Sequence, residues 1–217
     1  MALHTLNPAD SYSTHPLHTS IADFVAGLKE LEQDLITKDR IAKYMAAMPL
    51  HATALKDYVW WRDSLYTRNL IYRDDLFEVM TICWSPGQKT AIHTHNGQLG
   101  WMTVAQGEVV THEYKHGSCN APENQNVVNI DCIGGATELQ LDRIGSVSCA
   151  EGTGMVTVDK LQTIHQIENA GSTGCISLHV YSKPFDSCIA FDLEKQRCYR
   201  RSLSYFSKSG QPLQSRE

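Results

Sequence analysis

Apolar residues recur at helical spacing only in the first quarter of this chain. Behind Ser20, the positions Ile21, Phe24, Val25, Leu28 and Leu31 share one helical face, with Ser20 placed to cap the run and Asp23 a favourable anion in its first turn. Thr37 is a second candidate cap, for Ile41, Tyr44, Met45 and Met48, and Pro49 closes that run. Both stripes predict helices whose apolar faces pack on a sheet. From Tyr66 onward the pattern changes to short β-branched and aromatic runs divided by turn residues. Predicted strands are 76–84, 100–105, 108–114, 127–133, 138–141, 146–149, 154–158, 163–167, 175–181 and 189–193. Strands so short and numerous predict a mainly β fold, a barrel or jelly roll, with the helices packed outside it. Residues 117–125, with Asn120, Pro122 and Asn124, read as a loop. The organisation expected is one domain: an N-terminal arm and helices over 1–64, the barrel over 65–207, and a frayed polar tail over 208–217.

Composition narrows this picture. A length of 217 residues suits a single domain with a substantial core. The net charge is −5 and the basic residues are scattered apart from Arg200 and Arg201, so neither nucleic acid nor an anionic membrane is an expected partner. No apolar run approaches the roughly eighteen residues of a spanning helix, and residues 1–16 lack the basic start and apolar core of a secretion signal. A cytoplasmic monomer is the working expectation. Seven cysteines, an odd number without a CxxC pair, are expected to be reduced thiols that pack as small hydrophobes.

The candidate chemistry centres on His93-Thr94-His95. On an extended segment, residues two apart share a face at about 6.6 Å, within reach of a single metal ion when the rings lean together. A third histidine stands downstream in His165-Gln166-Ile167-Glu168-Asn169, whereas His112 and His116 read as surface residues. The frame resembles the cupins: Gly87, His93, His95 and Gly107 keep the register of their first motif, and Gly154, His165 and Asn169 that of the second. The usual glutamate position is Leu99 or Gly100, so the carboxylate ligand is missing. Three neutral imidazoles leave the dication's charge to outside ligands, which favours an anionic substrate and a metal such as iron or zinc.

A second polar row sharpens the reading. Ser177, His179 and Tyr181 lie on one face of a predicted strand, and Ile176, Leu178 and Val180 on the other. Buried hydroxyls and imidazoles without partners cost about 1–3 kcal/mol each, so the row should be hydrogen-bonded or line a wet pocket. With it, the chain resembles the cysteine dioxygenases. Tyr66-Thr67-Arg68-Asn69-Leu70, Ile82-Cys83-Trp84, the segment 92–95, His165 to Asn169, and Ser177 to Tyr181 followed by Pro184-Phe185-Asp186 and Cys188 carry the likeness. The resemblance implies Fe(II) held by His93, His95 and His165, a substrate carboxylate held by Arg68 and Tyr66, and Tyr181, oriented by His179 and Ser177, in contact with substrate and O2.

The chain also departs from that family. The position of the cysteine that cross-links to tyrosine in animal members is Gly100, which implies an uncross-linked Tyr181. Lys183 replaces the first proline of a Ser-Pro-Pro segment, and a trans Ser182-Lys183 bond is expected. The implied activity is oxidation of a small carboxylated thiol, L-cysteine first, to its sulfinic acid with O2. Alternatives are a 3-mercaptopropionate dioxygenase, a zinc or manganese cupin isomerase, and a non-catalytic binding cupin.

Overall fold

The computed structural model describes residues 19–119, 139–159 and 163–213. Two helices come first, α1 (Ile21–Lys29) and α2 (Lys38–Ala47). The Asp23 N–H donates to Ser20 Oγ and the Arg40 N–H to Thr37 Oγ1, so both expected caps satisfy a free amide at a helix start.

The strands that follow are β1 (Thr67–Arg73), β2 (Glu78–Trp84), β3 (Ile92–His93), β4 (Leu99–Gln106), β5 (Glu108–Cys119), β6 (Leu139–Ala150) and β7 (Val156–Val158). They continue with β8 (Ile164–Glu168), β9 (Cys175–Ser182), β10 (Ser187–Asp192), β11 (Arg197–Ser202), β12 (Ser207–Lys208) and β13 (Gln211–Pro212). They form a seven-stranded sheet, β13-β12-β1-β2-β9-β4-β7, and a six-stranded sheet, β11-β10-β3-β8-β5-β6. This is the mainly β, cupin-type architecture expected, with the helices on the outside of the larger sheet.

Alternation along β2 and β9 explains the layering. Val79, Cys83, Ile176, Leu178 and Val180 face the helices, where they pack with Phe24, Leu28, Ile41 and Met45. Met80, Ile82, Trp84 and Tyr181 face inward and pack with Ile167 and Cys188 of the smaller sheet. Both faces are covered, so every residue of β2 and β9 is buried. Trp101 Nε1 donates to the Lys38 carbonyl at 2.9 Å and Tyr44 Oη to the Phe24 carbonyl at 2.6 Å, tying the helices to β4 and to each other.

Several expectations need correction. The runs at 138–141 and 146–149 are one strand, β6, because pairing along twelve-residue β5 carries the chain through its exposed middle, with an irregularity at Ile144. The expected loop does not begin at Gly117, which lies within β5; residues 120–125 and the strand expected at 127–133 lie outside the described residues. The tail is not frayed as far as Leu213, since β12 pairs in parallel with β1 and β13 with β12, extending the larger sheet past residue 207. The Ser182-Lys183 bond is cis where trans was expected; Ser182 is registered against Leu99, and the Lys183 N–H donates to Gln98 Oε1 at 2.7 Å. Cys83, Cys149, Cys175 and Cys188 are buried free thiols, but Cys198 is disulfide-bonded, which spacing along the chain does not reveal.

Candidate metal and thiol site

His93 and His165 form a directly registered cross-strand pair between β3 and β8. His95 does not share their strand, since β3 ends at His93. Pairing with β10 continues to the Thr94 N–H, which donates to the Ile189 carbonyl at 3.0 Å, and His95 precedes a turn in which Asn96 and Gly97 take φ values of 51° and 74°. The ring centroids lie 5.0 Å apart for His93 and His95, 4.8 Å for His93 and His165, and 4.6 Å for His95 and His165. One ligand atom from each ring lies within 4.8 Å of the others.

Burial lowers the pKa of His93 to about 4 and takes His95 and His165 well below the ordinary value, so all three are neutral near pH 7 with lone pairs available. The Ala91 carbonyl only accepts, so the 2.9 Å contact from His93 Nδ1 places the proton there and leaves Nε2 open. His165 is 3% exposed, yet neither of its ring nitrogens has a hydrogen-bond partner among the described residues. An orphaned imidazole facing two others fits a metal ion, and a set of three nitrogens suits iron or zinc.

The expected polar row lies beside this cluster. Trp84 Nε1 donates to Ser177 Oγ at 2.8 Å; Ser177 Oγ and His179 Nε2 are 2.8 Å apart, and His179 Nδ1 and Tyr181 Oη 3.1 Å. Burial depresses the His179 pKa to about 3 and raises that of Tyr181, so the ring is neutral and the phenol keeps its proton. The Tyr181 ring stacks with His95 at 6.1 Å and meets the edge of Phe185 at 5.1 Å. Tyr66 stacks on Trp84 at 4.8 Å. A narrow cavity of about 40 Å³ is lined by Tyr66, Arg68, His93, His179, Tyr181 and Cys188, among others.

Arg68 is joined by groups that the sequence did not single out. Its Nη2 lies 3.5 Å from Glu78 Oε1, while its Nη1 is buried and has no hydrogen-bond partner among the described residues. Glu78 is fully buried, accepts a short hydrogen bond from Tyr205 Oη, and lies opposite Tyr181 in the β2 and β9 register. The Arg68 guanidinium sits 5.3 Å from the Tyr205 ring centroid. A signal for Glu78 was available: it shares the inner face of β2 with Met80, Ile82 and Trp84, where a charge demands a partner. Arg201 belongs to β11, which the hydrophobic pattern did not reveal. His112 also departs from expectation: its side chain is only 12% exposed, because on β5 it reaches diagonally to Glu168 of β8 at 3.4 Å and to Ser146 at 2.9 Å.

The profile of the family described as cysteine dioxygenase type I matches residues 11–194. The cysteine dioxygenase type 1 of Homo sapiens is 25% identical over 194 residues, covering 88% of each chain, and that of Danio rerio 24% over 200 residues, covering 88% of this chain and 89% of the other. Among solved structures, an uncharacterized conserved protein with a double-stranded beta-helix domain from Klebsiella pneumoniae is 18% identical. Its TM-score is 0.40, over 64% of this chain and 94% of that one.

Proposed function

This chain belongs to the cysteine dioxygenase type I family, and we propose that it is an Fe(II)-dependent thiol dioxygenase converting a small carboxylated thiol to its sulfinic acid, R–SH + O2 → R–SO2H. The observation that carries this reading is a cluster of three neutral imidazoles of which one, His93, lines a cavity together with Arg68 and Tyr181. His93, His95 and His165 are the residues to hold the metal. Bound iron(II) would supply a Lewis-acidic, redox-active centre that acidifies a thiol and activates O2.

The chain's own groups bind and orient. Arg68 offers the unpaired Nη1 of a planar fork to the substrate carboxylate, while Glu78 and Tyr205 hold the rest of its guanidinium in place. Anchoring the tail in this way fixes where the sulfur lies relative to the histidines. Ser177 has two acceptors within reach, His179 Nε2 at 2.8 Å and the Ile82 carbonyl at 3.4 Å. Donation to the closer one makes Nε2 the acceptor and puts the ring proton on Nδ1, which then donates to Tyr181 Oη. The phenolic proton is thereby free to point into the cavity and donate to oxygen as negative charge develops there. Phe185 and Trp84 wall this end with apolar rings and restrict water.

L-cysteine is the first substrate proposed. 3-Mercaptopropionate is the second, favoured by one observation: among the described residues no acidic side chain lines the cavity to meet a cysteine ammonium. Iron-loaded protein in an oxygen electrode with L-cysteine, 3-mercaptopropionate and cysteamine tests the proposal, with sulfinate detected in the product. One O2 consumed per carboxylated thiol is expected, and His165→Ala should lose both metal and turnover. A protein that retains zinc and ignores all three thiols overturns the reading in favour of an isomerase; thiol binding without O2 uptake overturns it in favour of a binding cupin. The expected cytoplasmic location belongs with these proposals; no described helix is long and apolar enough to cross a membrane.

A further inference from the structure

The cavity beside the histidines has two arginines on its wall, and among the described residues only Arg68 has an ion-pair partner. Arg201 of β11 is registered opposite Cys188 of β10, itself on the cavity wall, which turns Arg201 to the inner face of the smaller sheet. Neighbouring Arg200 turns the other way, where its Nη1 donates to Ser187 Oγ at 3.1 Å. A larger space of about 450 Å³ adjoins the inner cavity, and Tyr66, Arg68, Arg201 and Leu203 line both. Arg62 adds a third guanidinium to this outer space. Among the described residues no aspartate or glutamate lines either space. Glu78, the partner of Arg68, lies behind that guanidinium rather than on the wall.

Charge bookkeeping makes Arg201 the distinctive group. Glu78 offsets the charge of Arg68, so among the described residues Arg201 supplies the uncompensated cation at the junction of the two spaces. Its charge bears on Tyr66, His93 and Cys188, and Arg68 bears on the same three groups, so the two guanidiniums flank one volume. Two cations facing a narrow, partly enclosed space repel each other unless an anion enters between them. One carboxylate pairs with the open edge of Arg68, which leaves the fork of Arg201 to a second.

We infer that Arg201 is a second anion contact of this site, and that its substrates include thiols bearing two anionic groups, such as a mercapto-dicarboxylic acid. A cysteine-type ammonium near Arg201 is disfavoured by like charge. The inference rests on the thiol dioxygenase reading for its sulfur but not for its anion contact, and the two are separable by experiment.

Isothermal titration of the wild-type protein with succinate and propionate, which carry no thiol, reads the anion contact alone. Succinate should bind about tenfold tighter than propionate or better, and Arg201→Gln should remove that difference while leaving propionate unchanged. In the iron-loaded protein, Arg201→Gln should lower kcat/KM for 2-mercaptosuccinate by about tenfold or more and for 3-mercaptopropionate by less than about threefold, with Arg201→Lys in between. Equal binding of succinate and propionate by the wild type overturns the inference without recourse to any variant. Equal losses for both thiols also overturn it, since Arg201 then shares the first carboxylate with Arg68. If no thiol is oxidised yet succinate binding depends on Arg201, the anion contact stands and the dioxygenase reading falls.

Discussion

Arg68 shows how much one side chain depends on its surroundings. A lone arginine on a strand is ordinarily a solvated charge, but here Glu78 and Tyr205 hold the guanidinium with one buried nitrogen unpaired. A charge-assisted bond to a carboxylate contributes about 1.5–3 kcal/mol, so Arg68→Ala should raise KM for carboxylated thiols by about 10- to 150-fold. Cysteamine, which has no carboxylate, should change far less, and equal effects on both would refute the contact. Gly100 makes a different demand. A Cβ there would lie 2.6 Å from Val158 Cγ2 and 2.9 Å from two ring carbons of Tyr181. Gly100→Ala should therefore cost about 1–3 kcal/mol, read as a lowered urea midpoint, and slow turnover by displacing the phenol. At this scale the three histidines, Arg68 and the serine, histidine and tyrosine row were legible, because each belongs to a short run with a local pattern. Glu78 was legible only as a charge on an inward strand face, and Tyr205 and Arg201 were not legible, because only long-range pairing brings their segments to the site.

The element that organises the site is β9, whose two faces do different work. Ser177, His179 and Tyr181 point into the barrel, while Ile176, Leu178 and Val180 form the floor on which the helices sit. Helix packing and site geometry are thus coupled through one strand. Leu28, fully buried in α1, anchors this layer. Leu28→Ala should destabilise the protein by about 2–5 kcal/mol in urea unfolding, and a change within experimental error would show that α1 is not part of the cooperative core. The legibility of elements follows coverage. Strands β2 and β9 read clearly because both faces are apolar or purposeful. Strands β6 and β11 did not, because they are edges: much of β6 is exposed and β11 carries Arg197, Arg200 and Arg201. An edge strand is held by backbone pairing on one side only and need not show alternation.

For the molecule as a whole, enclosing so many imidazoles has a thermodynamic consequence. His95, His165 and His179 are each at most 3% exposed, and burial lowers the pKa of each, that of His179 to about 3. Unfolded imidazoles take up protons near pH 6.5, before the folded ones do. In metal-free protein, stability should therefore be complete above about pH 6.5 and fall as the pH drops below it, by up to about 1.4 kcal/mol per pH unit for each histidine. Urea midpoints of metal-free protein at about pH 7.5, 6.5 and 5.5 check this, and a flat profile would overturn it. The sequence by itself determined the fold class, the capped helices, the three-histidine set and the polar row, since periodicity, capping and motif spacing are local properties of the chain. Only the tertiary structure decided that Tyr205 joins Glu78 behind Arg68, and that Arg201 reaches the same cavity as His93. Those facts depend on strand register and sheet closure, which join residues more than a hundred positions apart and leave no periodic trace along the chain.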